Sequence, residues 1–215
     1  MKIAIFDLDG TITDSIYDLA ASVENGLKIL GYPSHTIEEY KKFVGNGAYK
    51  LCCRALPDDK KADADKLHQL FREYYAVHFL DNTQLYPDIA ETIKTLSDNG
   101  VKLAVATNKP EDFAKQIVSK LLPGIEFTKV LGGCDERPKK PDPAIIRDIL
   151  ADFPDDGNTV FMIGDSNVDI QTAKNSGLIS IGCEWGFRSK EELLAEGADY
   201  IISSAKEIPK IIMRY

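Results

Sequence analysis

The chain is short of cysteine, of basic residues and of long apolar runs, and each shortage closes off a class of function. Its four cysteines, Cys52, Cys53, Cys134 and Cys183, show neither paired metal-ligand spacing nor the density of a disulfide scaffold, so they read as reduced thiols. Lysine and arginine total 26 against 34 aspartates and glutamates, a formal charge of -8. No cluster of cations stands out along the chain, which leaves little to neutralise a nucleic-acid backbone. An acidic surface also repels phosphorylated ligands, so an anion site has to rest on local cations, helix N-termini or a bound metal. No stretch approaches the roughly 18 apolar residues of a membrane span, and Ile3 to Phe6 is too brief for a secretory leader. The expectation is a cytoplasmic protein with neither nucleic acid nor membrane as partner; whether it is a monomer or a homodimer is not written in the sequence.

The 215 residues are 44% hydrophobic, enough for one large domain and a smaller insert. Ile3 to Phe6 is a continuous β-favouring run ended by Asp-Leu-Asp-Gly-Thr, as expected of a strand buried on both faces. Similar runs recur at Val101 to Ala106, Val160 to Ile163, Leu178 to Ile181 and Tyr200 to Ile202. Helical patterns alternate with them, including Ile89, Ile93 and Leu96 closed by Gly100, and Ala144 to Leu150 opened by Asp142 and Pro143. This alternation predicts an α/β fold built on a doubly wound, mostly parallel sheet.

One connection is too long for a simple crossover: almost a hundred residues separate the first strand from the run at Val101. Ile16, Leu19, Ala20, Val23, Leu27 and Leu30 keep helical spacing up to Gly31; Thr36 and Glu39 form a capping-box pair; and Leu67, Leu70, Phe71, Tyr74 and Tyr75 mark a further helix. The prediction is a core formed by residues 1–14 and 83–215, with residues 15–82 as an inserted all-helical domain. Hinges are expected near Asp14 to Ser15 and Asn82 to Pro87.

Asp7 and Asp9 stand two apart where the first strand ends, so in an extended segment both side chains point the same way. Asp165, in Gly-Asp-Ser-Asn-Val-Asp, follows another apolar run ending on the same edge of the sheet, and Asp169 lies four residues on. Such a convergence of acids calls for a compensating cation or raised pKa values. A hard dication with oxygen ligands suits it, Mg²⁺ better than Ca²⁺ where carboxylates are few. Thr107, Asn108 and Lys140 supply a hydroxyl, an amide and an ammonium suited to phosphoryl oxygens. Taken singly, Asp7, Asp165 and Thr107 could be helix caps and Lys140 a solvated loop charge; Lys139 is assigned to solvent. The three histidines have no ligand-like spacing, and Phe71, Tyr74 and Tyr75 read as packing residues of the insert.

Asp-Leu-Asp-Gly-Thr at 7–11, Thr107 after a strand, Lys140 before Pro-x-Pro, and Gly-Asp-Ser-x-x-Asp at 164–169 together resemble the four ordered motifs of the haloacid dehalogenase-like superfamily. The likeness spans the whole chain and is strongest to its phosphoglycolate phosphatase branch, partly through Val44-Gly45-Asn46-Gly47 and Leu51. The resemblance implies a Rossmann-like core with a closing cap, and hydrolysis of a small phosphorylated metabolite through an aspartyl-phosphate on Asp7. It makes Asp9 the general acid and base, whose carbonyl joins Asp7 and Asp165 in holding Mg²⁺, with Asp169 supporting that site. Thr107 and Lys140 would hold the phosphoryl group. In the cap, Gly45, Asn46 and Gly47 would approach a small anion, and Lys50 or Arg54 would pair with a second charge such as a carboxylate.

Asp9 argues against two relatives: a dehalogenase has no alkoxide to protonate, and the family's phosphonatases lack an acid at the second position. A sugar phosphomutase keeps that acid and is the strongest rival enzyme. A signalling receiver domain combines similar residues but would be smaller and without the insert. A non-catalytic binding protein on this fold would be expected to have lost one of Asp7, Asp9, Lys140 or Asp165.

Overall fold

Ile3, Ala4, Ile5 and Phe6 are all wholly buried because successive side chains of one strand enter two different cores. Ala4 and Phe6 join Leu103, Val105, Phe161 and Ile163 on one face. Ile3 and Ile5 join Ala104, Ala106 and Met162 on the other. Sheets covered on both faces need such unbroken apolar strands, which is why the runs were visible in the sequence. In the computed structural model, which describes residues 1–154 and 157–215, the strands concerned are β1 (Lys2–Phe6), β4 (Lys102–Pro110), β5 (Lys129–Gly133), β6 (Thr159–Gly164), β7 (Ile179–Cys183) and β8 (Tyr200–Ile202). They form one parallel sheet in the order β5-β4-β1-β6-β7-β8. Helices α5 (Ile89–Asp98), α6 (Glu111–Leu121) and α10 (Glu207–Ile212) cover the first face; α7 (Ala144–Leu150) and α8 (Asn167–Ser176) cover the second. The short helix α9 (Lys190–Ala195) opens with the Ser189–Glu192 capping box. The fold is therefore the α/β, doubly wound class expected.

The strand from Val101 runs on to Pro110, so Thr107, Asn108 and Lys109 are part of β4 rather than of a loop after it; its register with β5 shifts between Ala106 and Pro110. β5 itself carried no recognisable run because it is a short edge strand ending in two glycines. Strand β7 ends two residues beyond the predicted Ile181.

Between β1 and β4 lie helices α1 (Ile16–Leu30), α2 (Ile37–Phe43), α3 (Ala48–Ala55) and α4 (Ala64–His78), with a 3-10 turn at Asp58–Asp63. The Thr36–Glu39 box opens α2, and α1 packs along α4. Where this helical segment leaves and rejoins the sheet domain, β2 (Thr13–Asp14) and β3 (Gln84–Leu85) pair antiparallel. The buried Asp18 carboxylate pins the return: it accepts hydrogen bonds from the backbone N–H of Asn82 (3.0 Å) and Thr83 (2.8 Å) and from the Thr83 hydroxyl (2.7 Å). A second tie reaches from the core, where Arg188 donates to the Val44 carbonyl at 2.8 Å and also to that of Lys41, at the C-terminal end of α2. No helix among the described residues is long and apolar enough to cross a membrane.

Candidate active site

Strand β1 lies between β4 and β6, so the chain leaves it in opposite directions, and a crevice opens beyond the carboxyl ends of these three strands. Asp7 follows β1, Asp165 follows β6, and Thr107 to Lys109 lie at the end of β4. Carboxylate oxygens of Asp7, Asp165 and Asp169 lie within 4.8 Å of one another, all buried. Lys140 joins them: its Nζ donates to Asp7 Oδ1 at 2.8 Å and to Asp169 Oδ1 at 2.6 Å. Three buried carboxylates share one ammonium, so with all three ionised two negative charges would need compensation, which a hard dication with oxygen ligands would supply. Burial, opposed by Lys140, lifts the Asp7 carboxyl to about 7. Burial with Asp169 and Asp7 beside it lifts Asp165 to about 8. The same carboxylates hold the Lys140 ammonium above its ordinary value despite its burial.

The surroundings fix these groups in place. Asp165 receives the Thr11 hydroxyl on Oδ1 at 3.0 Å and the Phe187 N–H on Oδ2 at 2.8 Å. Two glycines flank it: a Cβ on Gly186 would stand 2.2 Å from Asp165 Cβ, and one on Gly10 only 2.4 Å from Asp165 Oδ2. Trp185 closes this side by donating its indole N–H to the Thr11 carbonyl at 3.1 Å. Asp169 caps its own helix, accepting from the Ser166 hydroxyl at 2.6 Å and the Ser166 N–H at 3.1 Å on Oδ2. Both of its oxygens are thus engaged, one by Lys140 and one by Ser166.

The Asp9 carboxylate does not join that cluster, although Asp7 and Asp9 border one cavity of about 440 Å³. It is turned to the Ser15 hydroxyl (2.6 Å) and to Lys109, whose Nζ lies 3.0 Å and 3.1 Å from its two oxygens. Lys109 is buried and also lies over the Tyr75 ring of α4, 4.8 Å from its centroid. Sequence reasoning misses this lysine, whose only local signal is its place two residues after Thr107, because its partner is a hundred residues away.

Thr107 is buried on the cavity wall. Asn108 borders the cavity too, but its amide is already engaged: it donates to the carbonyls of Gly45 (3.0 Å) and Lys140 (3.1 Å) and accepts from the Lys140 N–H (2.9 Å). Through these bonds the Asn108 side chain fixes the backbone of Lys140 and reaches the insert. Gly45 and Gly47 line the cavity, whereas Asn46 and Lys50 are absent from its lining. Asn46 accepts from Arg54 at 2.6 Å. Lys50 lies on the outer side of α3, whose Leu51, Cys52 and Ala55 face inward, so it is exposed. Lys139, assigned to solvent, is exposed but borders the cavity, as do His68 and Arg72 of α4.

A protein-family model described as "Haloacid dehalogenase-like hydrolase" matches residues 4–183. A protein of Vibrio parahaemolyticus named phosphoglycolate phosphatase is 33% identical over 219 residues, covering 99% of this chain and 96% of that one. A protein of the same name from Pseudomonas fluorescens is 34% identical over 214 residues, 96% of this chain and 78% of its own. Among solved structures, a predicted phosphoglycolate phosphatase from Haemophilus somnus superposes with a TM-score of 0.86 at 30% identity, covering 98% of this chain and 97% of that one.

Proposed function

Since the chain belongs to the haloacid dehalogenase-like hydrolase family, we propose that it is a Mg²⁺-dependent phosphatase acting on a small phosphate monoester of the phosphoglycolate class, through an aspartyl-phosphate on Asp7. The observation that carries this reading is the Lys140 bridge: one ammonium touches both Asp7 and Asp169, beside the third buried acid, Asp165. Mg²⁺ would be held by Asp7, Asp165 and the Asp9 carbonyl, and would supply positive charge to the phosphoryl oxygens.

The chain's own groups divide the remaining work. Lys140 keeps one oxygen of Asp7 oriented and offers its charge to the transferring phosphoryl group, while the Thr107 hydroxyl takes another phosphoryl oxygen. Asp169 positions Lys140 and acts on the reaction through it. Asp7 attacks phosphorus in line with the leaving oxygen, and Asp9 gives that oxygen its proton. Water then cleaves the acyl phosphate as Asp9 recovers a proton from it, so the acid of the first half is the base of the second. The Lys109 ion pair holds the Asp9 carboxylate at the cavity wall for that second role. Residues 15–82 act as a cap that excludes water from this chemistry.

With Mg²⁺ the protein should hydrolyse both p-nitrophenyl phosphate and phosphoglycolate, and EDTA should stop both. Asp7→Asn should abolish turnover; appreciable turnover by that variant rules out the covalent route. Scoring kcat/KM across phosphoglycolate, pyrophosphate, nucleoside monophosphates and sugar phosphates assigns the substrate class, and sustained interconversion of a sugar phosphate without phosphate release would identify a mutase instead.

A further inference from the structure

Helix α4 presents four cavity-lining residues, His68, Phe71, Arg72 and Tyr75, spaced three or four apart so that one face carries them all. Packing accounts for the rings: Phe71 and Tyr75 are buried and stacked with centroids 5.1 Å apart. It does not account for the polar ends. Tyr75 is 2% exposed, and the polar group beside its hydroxyl is the Lys109 ammonium, which can only donate, so the phenol proton has no acceptor among the described residues. Native interiors rarely leave such a group orphaned unless something else supplies the acceptor. Burial, opposed by the Lys109 charge, pushes this phenol up to about 12, so the proton stays available to donate.

The neighbouring cations are equally uncommitted. The buried ion pairs at this end of the sheet engage Lys109 and Lys140, while Arg72 and Lys139 have no ion-pair partner among the described residues. His68 registers both: burial and then the charges of Arg72 and Lys139 hold its imidazole below the ordinary value. Lys139 reaches the insert from the core, its Nζ only 2.9 Å from where a Cβ on Gly47 would stand. Arg72 and Lys139 thus both border the cavity that Asp7 borders, and both act on His68. The acids bordering this cavity away from Asp7 and Asp9 are Asp112, Asp135 and Glu136, all exposed at its rim, where water and salt screen them.

We propose that the Tyr75 hydroxyl and Arg72 on α4, with Lys139 of the core, receive the carboxylate of a phosphorylated hydroxy acid whose phosphate lies at Asp7. This rests on the phosphatase reading and names the end of the substrate that the helical insert reads. It moves the carboxylate site from Lys50 or Arg54, neither of which lines the cavity, to a stripe on α4 that does. A fork of guanidinium donors and a protonated phenol is the donor set a carboxylate takes, and a neutral alkyl group would leave it unpaired.

The test compares phosphoglycolate with ethyl phosphate, which has the same chain length and no carboxylate, using the full-length protein with Mg²⁺. Tyr75→Phe keeps the ring and deletes only the hydroxyl beside Lys109, and should fold as the parent does; Arg72→Gln removes the charge from an exposed position. For each, the ratio of kcat/KM for phosphoglycolate to that for ethyl phosphate should fall about tenfold or more, the scale of one lost hydrogen bond to a charged group, with the loss carried mainly by KM. An unchanged ratio in both variants overturns the proposal, whether activity drops on both substrates together or on neither. Parent protein that hydrolyses ethyl phosphate as well as phosphoglycolate also overturns it while leaving the phosphatase reading intact; parent protein that hydrolyses neither sinks the phosphatase reading itself.

Discussion

Replacing Lys109 by methionine isolates the energetics of the Asp9 carboxylate, since methionine keeps an unbranched stem and loses the charge. The side chains of Lys109 and Asp9 are 2% and 12% exposed, and the ammonium meets one carboxylate oxygen at 3.0 Å. At that separation and an effective dielectric of about 20, the Coulomb attraction is roughly 5 kcal/mol. Desolvating both ions offsets part of this, so the pair itself is worth less than the attraction. Deleting one member is different, because the other charge stays buried without its partner, and about 3–5 kcal/mol of stability is lost. Lys109→Met should therefore lower the free energy of unfolding by about 3 kcal/mol. Asp9→Asn, which strands the ammonium, should cost a similar amount. The double variant should recover much of either loss, giving a coupling energy of at least ~1.5 kcal/mol. Urea denaturation followed by circular dichroism measures all four species. A Lys109→Met loss below about 1 kcal/mol, or strict additivity in the double variant, would refute the claim that these two charges depend on each other.

Three further outcomes follow from the same geometry. Gly186→Ala puts a Cβ 2.2 Å from Asp165 Cβ, so the Mg²⁺ concentration needed for half-maximal activity should rise about 10- to 100-fold; a magnesium titration with unchanged midpoint refutes it. Because folding raises Asp7 to about 7 and Asp165 to about 8 from 3.8, their contribution to the stability of the metal-free protein is full below about pH 4 and is lost as pH rises through 7 to 8. The melting temperature in EDTA should fall across that window and the stabilisation by Mg²⁺ should grow across it, whereas a magnesium shift independent of pH between 5 and 8 would contradict the assignment. Asp18→Ala strands the N–H groups of Asn82 and Thr83, which should cost about 2–4 kcal/mol in urea unfolding; a loss under 1 kcal/mol would show that the return strand does not depend on this carboxylate.

What could be read from the residues alone depended on whether the signal was local. The strands β1 and β6 and the capping box at Thr36 are local patterns, apolar runs and side chains three apart, and they stand where expected. The motif acids are local as well, and the parallel sheet brings Asp7, Asp165 and Asp169 together. The Lys109 pair was invisible because nothing in Asn-Lys-Pro distinguishes a buried strand lysine from a solvated loop lysine; only the continuation of β4 against β5 decides it. The commitment of Asn108 to Lys140 and Gly45 was hidden for the same reason. In α4, spacing identifies Phe71 and Tyr75 as one apolar face, but a face turned to a core and a face turned to a cavity have the same periodicity. The two-residue strands β2 and β3 and the short helix α3 are below the length at which periodicity carries information.

Phe187 holds Asp165 through its backbone N–H, and the very next residue, Arg188, grips carbonyl groups at the end of α2. The loop after β7 therefore has one end on an acid of the buried cluster and the other on the helical insert. Any shift of Asp165 as it takes up its ligand has to be absorbed within two residues or passed to α2, and any swing of α2 pulls on the same loop from the far side. If a ligand in the acidic pocket shifts the insert through this loop, the position of the insert biases the pocket by the same free energy.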